Sequence, residues 1–153
     1  MKFQKGQSIV EFSLILPLFL LFFLGIIYFG SYFSDYLTLS TIARNSAREA
    51  AVVSVIEENQ LQPAYEEVRK HYATQILPSD MYKWDPKSTD YFKIKPDENY
   101  NNVVVEIKAS LNPDGIFLGG IIDKLTGNTE TGASKLDINI TYTMPSEFKH
   151  NKT

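Results

Sequence analysis

The chain has 153 residues, with 15 Lys or Arg against 18 Asp or Glu for a net charge of −3, and no cysteine. That length holds one modest domain, the missing thiols exclude disulfides and thiolate metal sites, and interspersed charges of both signs argue against nucleic acid as a partner. Its overall composition resembles that of a soluble protein and conceals a very uneven distribution of apolar residues.

Residues 12–34 contain no Asp, Glu, Lys, Arg or His. As a helix this segment rises about 34 Å, enough for a hydrocarbon core of about 30 Å. A cleavable secretory signal has an apolar run of roughly 7–15 residues and a small-x-small cleavage site. This run is longer, and Gly30 and Ser31 near its end are crowded by Phe29, Tyr32 and Phe33. It therefore reads as an uncleaved single-pass anchor in a cytoplasmic (inner) membrane. Lys2, Lys5 and the initial amine flank it closely on one side; Asp35 comes first on the other, with Arg44 and Arg48 further out. The bias favours an inside N-terminus and an extracytoplasmic remainder. Pro17 removes one backbone hydrogen bond from the apolar helix and predicts a kink, either incidental to an anchor or used in packing into an assembly.

Glu11 stands at the start of the apolar run, where simple anchoring has no use for a carboxylate. A charge at the helix centre costs about 2.5–3.5 kcal/mol on insertion scales, and less near an interface. Glu11 either reaches the headgroups or has a partner. Gly6 precedes it by five positions in Lys5-Gly6-Gln7-Ser8-Ile9-Val10-Glu11-Phe12. This segment resembles the processing site of type IV pilins and pseudopilins, in which a short basic leader ends in Gly and Glu is fifth in the mature chain. The resemblance implies cleavage by a prepilin peptidase after Gly6, with Gln7 as the new N-terminus. It also implies that Glu11 pairs with the freed amine of its own or a neighbouring subunit and sets axial register during assembly. An α-amine has a pKa of about 7.7–8.0, so such a partner is mostly cationic at neutral pH.

The likeness extends through Leu16-Pro17-Leu18, Gly25-Ile26-Ile27-Tyr28-Phe29-Gly30 and Ala43-Arg44-Asn45-Ser46-Ala47-Arg48-Glu49-Ala50-Ala51. Over residues 5–51 the chain resembles TadE-like minor pilins (pseudopilins) of tight-adherence (Tad/Flp) pilus systems. The resemblance implies a part in assembling an adhesion or secretion pilus, without a cofactor. Its implied partners are a prepilin peptidase, other pilins or pseudopilins, the pilus assembly platform and the lipid bilayer. One position departs: many relatives carry an acid just before the Phe-Gly that ends the span, and here Tyr28 stands there. Tyr28 and Tyr32 suit an aromatic interface belt.

Beyond the bilayer, Ala43, Ser46, Ala47, Ala50, Ala51 and Ser54 recur at spacings of three and four, a small-residue stripe on a helix reaching about Ile56. The stripe packs either on the head's own sheet or on another subunit, while Arg44 and Arg48 form a solvated edge. Pro63 is expected to open a second helix to about Leu77, with Tyr65, Val68, Tyr72 and Ile76 on one face and Pro78 as its stop. Residues 79–102 read as loop with a short strand near 91–95. Two strands follow from strict alternation, Val103-Val105-Ile107-Ala109-Leu111 and Leu136-Ile138-Ile140-Tyr142-Met144, and suggest an antiparallel sheet. Between them the apolar part of residues 115–125 forms a short helix or a flap. The expected fold is α+β: a basic leader (1–6), a transmembrane anchor helix (7–34), an extracytoplasmic extension of it (35–58) and a head (59–153) with a second helix and an antiparallel sheet.

No catalytic or metal site is expected. His71 and His150 lack nearby ligand spacings. No Gly-x-Ser-x-Gly elbow occurs, and residues 115–120 lack the Lys-Ser/Thr of a phosphate loop. Glu57-Glu58 and Glu66-Glu67 are neighbours on helices and so face different ways. The chain is expected not to be an enzyme. The alternative function is a membrane-tethered extracytoplasmic binding or sensory domain with an unprocessed anchor.

Overall fold

The computed structural model describes residues 4–53, 58–79, 81–97, 102–112 and 137–146. One helix dominates: α1, Gln4–Val53, is 50 residues long and about 75 Å from end to end. It runs unbroken through Pro17, although the ring nitrogen leaves the Ser13 carbonyl without its intrahelical donor. It also runs unbroken past residues 34 and 35, so the apolar half and the extension beyond it form one continuous helix.

A second helix, α2 (Glu58–His71), is followed by four strands: β1 (Tyr82–Lys83), β2 (Phe92–Pro96), β3 (Asn102–Leu111) and β4 (Ile138–Pro145). All pairings are antiparallel and centre on β3. A strand has two hydrogen-bonding edges, and β4 occupies one of them from Asn102↔Pro145 to Ala109↔Ile138. β1 and β2 therefore share the other, β2 opposite residues 103–107 and β1 opposite Ser110 and Leu111.

Alternation decides which face is buried. Val103, Val105, Ile107 and Ala109 turn inward onto α1, while Glu106 and Lys108 turn outward. On the outer face Lys95 reaches diagonally across the pair to Glu106 at 2.5 Å, and this hydrogen bond lowers the Glu106 pKa. The small-residue stripe meets the sheet: Ala43, Ser46, Ala47, Ala50 and Ala51 are all buried there, which lets β3 and β4 approach the α1 backbone closely. Ser46 donates its hydroxyl to the Ala43 carbonyl and so enters the core without an unmet polar group. Arg44 and Arg48 are exposed on the opposite side. Leu61, Tyr65 and Val68 of α2 close the core over Phe92 and Ile94.

The expected second helix needs correcting at both ends. It starts at Glu58, so Pro63 lies inside it rather than at its first turn, at the cost of one hydrogen bond to the Asn59 carbonyl. It stops at His71. There Tyr72 and Ala73 donate to residues three back instead of four, and the chain turns down along α1. Ile76, read as part of the apolar face, is therefore off the helix and 85% exposed. The strand expected near 91–95 is β2, and β1, which the loop composition hid, joins the same edge. Ser54, Ile56, Leu136, residues 115–125 and His150 lie outside the described residues.

The helix–sheet seam predicts an asymmetric response to substitution. Ala47→Leu adds bulk where α1 touches the sheet and should lower stability by about 1–3 kcal/mol. Arg44→Ala on the exposed side should stay within about 0.5 kcal/mol of wild type. Denaturant midpoints of the two variants test this.

Candidate functional site

Every described side chain from Ile9 to Phe23 is exposed. Large apolar groups lie bare all round the helix, Leu14 at 74% and Phe22 at 71% among them. The most apolar 18-residue window of α1 has a mean hydropathy of 2.6 and no part of it is covered by the rest of the chain. An isolated soluble protein rarely exposes more than a few hundred Å² of contiguous apolar surface. By length and composition this is the one helix, among the described residues, able to cross a membrane. Glu11 is exposed on it one turn beyond Gln7, and the helical backbone includes both Gly6 and Gln7. A Cβ placed on Gly25 or Gly30 would touch nothing within 4 Å, so contacts inside this chain do not require glycine at either position.

Where the bare helix ends, the head is fastened. Asp35 is fully buried, and Ser79 donates to both of its oxygens: the backbone amide to Oδ1 at 3.0 Å and the hydroxyl to Oδ2 at 2.6 Å. Charge-assisted bonds of this kind are short and about twice as strong as neutral ones. One turn and two turns below, Tyr32 and Tyr28 meet Tyr82 of β1. The Tyr32 and Tyr82 rings lie 6.1 Å apart at a steep angle, and the Tyr28 and Tyr82 hydroxyls share a hydrogen bond. The two tyrosines expected to form an interface belt thus also bind the head. Burial, and the neighbouring Tyr28, Tyr32, Asp137 and Asp35, push the Tyr82 hydroxyl pKa well up.

A third fastening lies higher on α1. Glu49 takes the Tyr72 hydroxyl at 3.1 Å and the His71 Nδ1 at 3.1 Å. Burial first, and then the Glu49 carboxylate, push Tyr72 from 10.0 to about 12. On the far side of α2 the buried Arg69 donates to Glu66 at 2.6 Å and to the Lys87 carbonyl at 2.7 Å, tying α2 to the β1–β2 connection. Among the described residues no three His, Asp or Glu side chains gather as metal ligands would.

Sequence reasoning singled out Gly6, Gln7, Glu11 and Pro17, and the structure sets all four on the N-terminal half of α1, away from the head. Asp35, on sequence alone a flanking charge, is the residue that holds the head. A signal was present: Asp35 continues the stripe of Ala43 and Ala47 backwards through Leu39 at the same spacing of four, and further back through Tyr32 and Tyr28.

The arrangement defines a class: an α+β protein whose head is built on one half of a long helix, the other half being a bare candidate membrane span. Within it, residues 6–48 match the family model for TadE-like protein, a segment holding all four predicted site residues and Asp35. The chain thus carries a TadE-like segment, and it falls within residues 5–51, which carry the resemblance. No curated protein and no solved structure gives a match.

Two outcomes follow for the head. Asp35→Ala leaves the half-buried Ser79 amide and hydroxyl without their acceptor and should cost about 1–3 kcal/mol, with Ser79→Ala costing less, both read as denaturant midpoints. Alkali should also weaken the fold. Tyr72 is neutral in both states below about 10. Between about 10 and about 12 the unfolded chain ionises while the folded chain resists, so stability falls as pH rises through that window. Tyr72→Phe should flatten the fall in a pH series of unfolding midpoints.

Proposed function

We propose that the protein is a minor pilin or pseudopilin that takes part in assembling a Tad/Flp-type pilus. In this reading α1 is held in the cytoplasmic membrane with the N-terminus inside and the head outside, and a prepilin peptidase cuts after Gly6. One observation carries it: the TadE-like match coincides with a bare apolar helix that bears an acid near its start. A simple tether needs about 20 apolar residues and no carboxylate among them.

The helix gives the roles their geometry. Glu11 follows Gln7 by one turn, so an amine freed at Gln7 would sit about 6 Å from it along the axis. At the edge of the hydrocarbon that pairing is stronger than in water, whether made within one chain or between neighbours. Between neighbours it would set their axial register. Pro17 contributes a gap in the bond ladder at which α1 can bend when packed among other helices. Gly25 and Gly30, which no described residue of this chain crowds, leave room for a neighbouring helix to approach. The head acts through contact rather than catalysis and uses no cofactor; its partners are other pilins or pseudopilins and the assembly platform.

Intact-mass measurement of the protein from piliated cells should show loss of residues 1–6, and Gly6→Leu should block that loss. Glu11→Ala should leave membrane insertion and processing intact while pilus yield drops at equal protein level, with Glu11→Gln in between. An unprocessed N-terminus together with wild-type yield from Glu11→Ala would instead favour a tethered binding or sensory domain.

A further inference from the structure

The head's contacts with α1 form a descending series. His71 and Tyr72 reach Glu49, and Gln75 lines a groove with Leu37, Thr38, Thr41 and Asn45. Ser79 holds Asp35, and Tyr82 meets Tyr32 and Tyr28. From Glu49 to Tyr28 this is a descent of about 32 Å along the helix. Its lowest contacts fall inside residues 12–34, the stretch free of ionisable side chains.

That depth can be set against a bilayer. If the hydrocarbon begins at Phe12, about 20 helical residues fill its roughly 30 Å and it ends near Ser31. Tyr82 and β1 then straddle its outer boundary. Leu111, paired with Tyr82, lies at the same end of the sheet. The headgroup layer above is about 5–7 Å deep, which takes in Asp35 and reaches toward Leu37. The apolar side chains bordering this zone are more than half exposed: Phe29 is 61% exposed, Phe33 57%, Leu37 60% and Ile76 85%. Phe29, Phe33 and Leu37 are spaced by four and form one column on α1, and Leu37 shares its groove with Gln75, the neighbour of Ile76. Lys83 is exposed beside Tyr82, where a cation meets lipid headgroups.

We infer that this lower edge of the head, formed by Ile76 and Lys83 beside the Phe29-Phe33-Leu37 column, is a second lipid-contacting surface seated in the outer headgroup layer. Its occupant is the bilayer that surrounds the span, because the bare column on α1 is continuous with the bare helix below it. Tyr28, Tyr32 and Tyr82 suit that depth, each with an apolar ring and a polar tip. The Asp35–Ser79 bonds hold the edge at a fixed height. The inference rests on the reading of α1 as a membrane anchor.

The natural absence of cysteine allows a direct test on the full-length protein. Single variants Phe19→Cys, Ile76→Cys, Lys83→Cys and Thr143→Cys would each carry an environment-sensitive fluorophore. Each would be placed in phosphatidylcholine–phosphatidylglycerol vesicles with nitroxide-bearing lipids as quencher. Thr143 pairs with Val104, six residues along β3 from the Ser110 that pairs with Lys83, which sets it about 20 Å away along the strand, toward the end of the sheet opposite Tyr82. The labels at positions 19, 76 and 83 should lose intensity to the lipid quencher, and the label at 143 should not. Quenching at 19 with 76 and 83 as aqueous as 143 would overturn the seating while leaving the anchor in place. Absence of quenching at 19 would overturn the anchor reading, and the seating with it.

Discussion

The arrangement depends on one buried carboxylate. Most of what joins head to helix is apolar contact between small residues of α1 and Val, Ile and Ala of β3, and such contact is nearly indifferent to sliding. The two bonds from Ser79 to Asp35 are directional and leave no such freedom. A buried carboxylate is costly unless its bonds are made, so a head displaced by one turn would lose both bonds and strand the charge. Height on the rod is thereby set by polar chemistry, and grip by packing.

That division lets one helix serve two solvents. Its first half is apolar on every side, as a segment dissolved in lipid must be; its second half buries a single stripe and shows arginines on the other side. No loop or break separates them, so a displacement of the helix beyond Pro17 is carried into the head. In the proposed function, where neighbouring helices position the subunit, a continuous helix with a head held at fixed height is the geometry that makes register meaningful. Glu11 at one end of the span and Asp35 at the other are then two carboxylates with different tasks: one is exposed and, in the proposed function, pairs with a freed amine, while the other is consumed in holding this chain's own head.

The tyrosines show how a local rule can be correct and incomplete. Tyr28 and Tyr32 have the composition of an interface belt, and they close the apolar run of α1. They also serve as the floor on which Tyr82 rests. Tyr28 stands where many TadE-like chains carry an acid, and in this chain its hydroxyl bonds to Tyr82.

Much of this was legible without coordinates because it rests on periodicity and short-range spacing. The run without charges gave the bare apolar half of α1, the spacing of three and four gave its buried face, and strict alternation gave β3 and β4 with their inward residues. The Gly6–Glu11 spacing and the motifs that follow pointed to the TadE-like segment. What only the tertiary structure decided involves partners distant in sequence. Asp35 and Ser79 are 44 positions apart, and nothing in either neighbourhood announces the other. α2 ends at His71 rather than Leu77 because Tyr72 is drawn to Glu49 and Ser79 to Asp35, a long-range demand that overrides a helical pattern still running at Ile76. β1 is two residues long, too short for any alternation to reveal, and exists because the end of β3 offers it an edge. A sequence records which residues share a face; which faces then meet, and at what height, is settled by contacts that form only when the chain has folded back on itself.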